Sequence, residues 1–136
     1  MGLAFTDEST IIQPFPTDAD FSGKAGFAVT ATASDMALSA SGDIATGALP
    51  EEVKDWSSDP TRQGNPVQGV IVFGAAPMVL GGTVSGVGRQ AGAVKPKTDG
   101  SGEWVACTGA TASGWVYETG VDGDMVRGFI ETFEAP

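Results

Sequence analysis

From Gly23 onward, apolar and polar side chains alternate in short runs broken by glycine. In residues 27–31, Phe27, Val29 and Ala31 share one side, with Ala28 and Thr30 on the other, which predicts a strand. Residues 36–41 predict a second short strand ending in a Ser41-Gly42-Asp43 turn. In residues 66–74, Val67, Ile71 and Phe73 point one way and Val70 and Val72 the other, so this strand is apolar on both faces and needs cover on both. Residues 77–82, 91–95, 103–108 and 114–118 predict further strands at close intervals, the rhythm of a small barrel or sandwich. In residues 125–133, Val126, Phe129, Ile130 and Phe133 fit a helix, while Met125, Phe129 and Phe133 fit one face of a strand. Gly128 and Thr132 favour the strand, with Asp122-Gly123-Asp124 as the hairpin turn before it.

The first 22 residues lack this texture. Leu3, Phe5, Ile11, Ile12, Phe15 and Phe21 stand among Pro14, Pro16 and four acids at neither helical nor strand spacing, which predicts an extended arm ahead of a domain over residues 23–136. Six bulky apolar residues are more than a solvated linker carries, so the arm is expected to dock on a neighbouring subunit; pairing with the edge of its own domain is the alternative. In residues 49–57, Pro50 and two glutamates precede Val53 and Trp56, the pattern of one short helical turn, and residues 57–66 then read as an exposed loop. The fold class is all-β: a small β-sandwich or barrel of short strands with an extended N-terminal arm.

Composition agrees. Glycine supplies 20 of 136 residues, and valine and threonine, at 13 each, far outnumber the 4 leucines, which suits strands and tight turns. One domain of this length buries a core without disulfides or metal. Acids outnumber bases 17 to 7 for a formal charge of −10, so nucleic acid and anionic membranes are not expected partners. The bases are dispersed, only Arg89, Lys95 and Lys97 standing close together. The N-terminus has no signal-peptide pattern, and no stretch reaches the ~20 apolar residues of a membrane-spanning helix.

Candidate chemistry is sparse. There is no histidine, which closes imidazole-based catalysis and metal binding. The single cysteine, Cys107, follows Trp104, Val105 and Ala106 and reads as a small buried hydrophobe. Glu51 with Glu52 reads as a helix start and Asp122 with Asp124 as a turn, in preference to a glycosidase pair, and no EF-hand ligand series follows Asp124. The glycine-rich run 81–88 lacks the Gly-Lys-Ser/Thr of a phosphate-binding loop and a clear helix after it. No catalytic residue, cofactor or metal is expected.

Four stretches, residues 27–31, 69–72 (GVIV), 77–82 (PMVLGG) and 122–127 (DGDMVR), together form a glycine-punctuated series that resembles bacteriophage capsid cement (head decoration) proteins over roughly residues 23–133. The resemblance implies a β-rich virion protein, commonly a homotrimer, that binds the outer surface of the capsid and fastens neighbouring major capsid protein subunits. It supplies no catalytic residues. On that basis Phe5, Ile11, Ile12 and Phe15 are the expected capsid-binding anchors of the arm. A carbohydrate- or receptor-binding β module of a tail or fibre, with Trp56, Trp104, Trp115 and Tyr117 as platforms, is the competing expectation, and core packing of these aromatics is the plainer account of them.

Overall fold

A computed structural model describes residues 10–17, 19–32, 35–40, 44–50 and 67–136. The strands are β1 (Ile11–Pro16), β2 (Ala28–Ala31), β3 (Met36–Leu38), β4 (Gly47–Ala48), β5 (Val67–Val79), β6 (Ala93–Pro96), β7 (Trp104–Ala106), β8 (Thr111–Val116) and β9 (Met125–Glu134), with one helical turn, α1 (Gly88–Ala91), before β6. Neighbouring strands run β3-β2-β4-β5-β9-β8-β6-β7, each pairing is antiparallel, and β1 joins at β5. The sheet curls into a half-barrel, as the all-β reading expects.

The curl brings β7 back toward the middle of the chain. Trp104 bridges Leu80, its carbonyl accepts from Gly81 N–H at 2.8 Å, and Gly102 O accepts from Ala28 N–H at 2.6 Å. The Trp104 ring is fully buried and donates its indole N–H to Gly26 O at 2.9 Å, so a polar tip that would be costly in an apolar core is satisfied there.

β5 is the spine. Its first half pairs with β1 and, at Ile71, with β4; its second half pairs with β9. The expectation of two separate strands over residues 66–82 is corrected, since the chain passes through Gly74 without turning back. Gly74 has φ +107, a conformation open to glycine, and it coincides with a slip in alternation. Ile71 joins the main core from one parity, and Ala76, Met78 and Leu80 join it from the other. One residue earlier, Val70 faces a second cluster with Phe21, Val29, Met36 and Leu49, so β5 is covered on both faces at Val70 and Ile71, while Val67 and Phe73, which the sequence also expects to be covered, are exposed.

The N-terminal expectation is corrected in part. Ile11–Pro16 pairs with β5 of the same chain, the alternative weighed from sequence, and Phe21 is buried in the second core cluster. Strand spacing failed to show in the sequence because β1 is mostly exposed and its register against β5 shifts between Ile11 and Ile12. A Cβ on Gly47 would run into Ile71 O, so that carbonyl faces β4, and the alternate residues Val70 and Gln68 present their backbone groups to Gln13 and Phe15. Pro14 and Pro16 consequently fall on the outer edge of β1, where they remove two N–H donors. The expected helical turn, the loop to Pro66 and the Ser41-Gly42-Asp43 turn lie outside the described residues.

Elsewhere the expected strands form with adjusted ends. The segment 91–95 divides between α1 and β6. Residues 125–133 are strand, and the turn before them is built by Asp124 N–H donating to Val121 O, with Gly123 at φ +91. Cys107 is buried beside Ala93, Ala112 and Ala135.

Candidate interaction surface

On β9 the even positions Val126, Gly128 and Ile130 face the core, so Phe129, Glu131 and Phe133 stand on the outside. Trp115 on β8 lies directly opposite Phe129 in the register, and their rings stack with centroids 5.3 Å apart and planes at 15°. Tyr117 meets Trp115 edge-on at 4.7 Å, and Phe73 meets Phe129 edge-on at 5.2 Å. The result is an aromatic ladder, Phe73, Phe129, Trp115, Tyr117, crossing three strands on the convex side.

Polar groups hold this ladder in place. Trp115 donates its indole N–H to Glu131 Oε2 at 2.8 Å, Arg89 from α1 lies 3.7 Å from Glu131 Oε1, and the Arg89 guanidinium sits 4.6 Å from the Phe133 ring centre. Partial burial pushes the Tyr117 phenol up to about 12, with Glu131 adding to the rise and Arg127 opposing it.

The expected anchors divide. Ile11 and Ile12 are 51% and 56% exposed, and Ile11 lies opposite Phe73 in the β1–β5 register, at the end of the ladder. Phe15 is half-buried against the second core cluster, so most of its apolar surface already serves this fold. Phe5 lies outside the described residues. Of the four platform aromatics, Trp104 is a core residue, Trp56 is outside the described residues, and Trp115 and Tyr117 belong to the ladder.

Sequence reading placed Phe73, Trp115, Tyr117 and Phe129 on strands without bringing them together. The usable signal was the i, i+2 pair Trp115 and Tyr117, together with Met125, Phe129 and Phe133 on one strand face; the cross-strand register that unites them is a long-range property. Surface depressions, one lined by Pro77, Glu118, Met125 and Arg127 and another by Thr83, Ser85, Thr119 and Val121, are shallow. Among the described residues no cluster of three or more carboxylate, thiol or imidazole groups could hold a metal ion, and no helix is long and apolar enough to cross a membrane.

No protein-family model matches the chain, and no curated protein does. Among solved structures its fold is similar to the crystal structure of the head fiber gp8.5 N base of bacteriophage phi29, with a TM-score of 0.54, over 90% of this chain and 94% of that one, at 12% identity. At that identity the likeness is one of fold, and it extends over nearly the whole of both chains.

Proposed function

We propose that this chain is a non-enzymatic structural protein of a tailed-phage virion that binds the outside of the head and fastens neighbouring major capsid protein subunits. The observation that supports this reading is the fold shared along nearly the full length with the base of a phage head fibre. The cement-like glycine and valine series of the sequence points the same way.

Ile11 and Ile12 are the contacts retained from the expected anchors, because both are exposed and Ile11 lies opposite Phe73 at the end of the ladder. About half of each is already covered, so burying the remainder on a partner contributes roughly 1–1.5 kcal/mol, too little alone for tight attachment. In a homotrimer, engagement of one copy brings the others to an effective concentration of ~mM, and modest contacts then hold a lattice. The test is the solution mass by light scattering, followed by mixing with empty phage shells and sedimentation. A trimer that co-sediments is expected; a monomer that stays in the supernatant overturns the reading.

A receptor- or glycan-binding role is the second reading, favoured by the part-exposed Trp115 and Tyr117 on the outer face. Against it, the Trp115 ring is already stacked on Phe129 and Tyr117 already packs against Trp115, which leaves little free aromatic face for a sugar. A shift in tryptophan fluorescence on adding glycans would favour this second role.

A further inference from the structure

We propose that the ladder face is the surface by which this protein meets the head, and that its partner is a protein patch with an apolar centre and a basic rim. This rests on the virion-surface reading above and adds the face and the chemistry of the contact.

Three observations converge on it. The outer sides of β5 and β9 form a strip with Ala75, Pro77 and Phe129 along its middle and the exposed Arg127 opposite Pro77, Phe73, 43% exposed, at one end and Met125, 53% exposed, at the other. Six residues of strand separate those ends, a span of ~20 Å. Ile11 extends the strip beyond Phe73. An apolar surface of this extent on a strongly acidic chain marks a docking site.

The charges around it select the partner. Glu118, Asp122 and Asp124 are exposed near the Met125 end, and among the described residues none of them is in an ion pair; Glu118 accepts from Arg127 N–H and Asp124 from Val121 N–H. Glu131, within the ladder, is neutralised by Arg89. The strip therefore carries one cation, Arg127, among its apolar side chains, and carboxylates outnumber it at the Met125 end. A partner bearing lysine or arginine around an apolar patch complements it, whereas a second copy would present the same carboxylates.

The backbone narrows the mode of contact. Pro14 and Pro16 strip donors from the outer edge of β1, so a partner strand cannot be added there in full register, and binding runs through side chains on the face.

The experiment compares the full chain with Phe73→Glu/Met125→Glu, two exposed positions whose change leaves the core untouched, and with Ile44→Glu as control. Ile44 is 52% exposed, and the adjacent Ala45 belongs to the inner core cluster, away from the ladder. All three proteins are first checked for unchanged thermal unfolding, then titrated onto empty shells of the encoding phage at low and high salt. The double variant is expected to bind at least tenfold more weakly, the control to bind like the parent, and parental binding to weaken as salt rises. If the parent binds and the double variant binds equally well, the assigned face is wrong while the virion reading stands. Salt-independent parental binding overturns the basic-rim chemistry. A double variant that loses self-association by light scattering but keeps shell binding makes the face a contact between copies and overturns the proposal. A parent that binds no shells removes the virion reading and this inference with it.

Discussion

The inner cluster around Trp104 and the outer ladder around Trp115 use the same kinds of side chain on one curled sheet, yet different forces hold them. Trp104 is sealed on every side, its N–H spent on Gly26 O, and it ties β7 back onto β5 at the point where the sheet curls. Trp115 is partly exposed and is held by a stacked neighbour, an edge contact and a carboxylate. Burial in a close-packed core makes the first a stability determinant, while the second leaves apolar surface available to another molecule.

That contrast can be broken directly. Trp104→Ala should lower unfolding free energy by ~3–5 kcal/mol, because it loses the buried area and leaves a cavity. Trp115→Ala should cost less, about 1–3 kcal/mol, from two ring contacts worth ~0.5–1.5 each. Urea denaturation of both variants measures the difference; equal losses would mean that the ladder is as much a part of the core as Trp104. Gly128→Ala probes the floor between the two regions, since a Cβ there would lie 2.5 Å from Met78 Sδ and 2.8 Å from Trp115 O. Met78 can shift but a paired strand carbonyl cannot, so a loss of ~1–3 kcal/mol is expected, and an unchanged midpoint would show that β9 moves outward freely.

Two smaller effects sharpen the picture. Gln68 is 6% exposed, donates from Nε2 to Gly69 O at 2.9 Å, and has no partner for Oε1 among the described residues. Gln68→Met should leave stability unchanged or raise it by up to ~1 kcal/mol; a clear fall would reveal that Oε1 accepts a bond from solvent or from another molecule. Tyr117 is the one tyrosine of the chain, so an ultraviolet pH titration reads it directly. With the folded phenol raised to about 12 from an ordinary 10.0, the unfolded chain loses its proton first. The Tyr117 contribution to stability is therefore present below 10 and is lost as pH climbs through 12. Phenolate appearing at the ordinary value would place Tyr117 in open solvent and remove it from the ladder.

Local pattern alone already carried the all-β class, the strand alternation after Gly23, the burial of Cys107 and the cover of Val70 and Ile71 on opposite faces. Each of these follows from local periodicity or from the chemistry of a single side chain. It also marked Ile11 and Ile12 as apolar residues in need of an explanation. Long-range pairing settled that β1 lies on its own chain, that β5 runs unbroken through Gly74, and that Trp104 goes inside while Trp115 goes outside. These depend on which strands pair and in what register, and one residue of register reverses every side chain. The ladder belongs to that second group. Phe73, Trp115 and Phe129 are far apart in the chain, and they meet because β5, β9 and β8 are neighbours in the sheet.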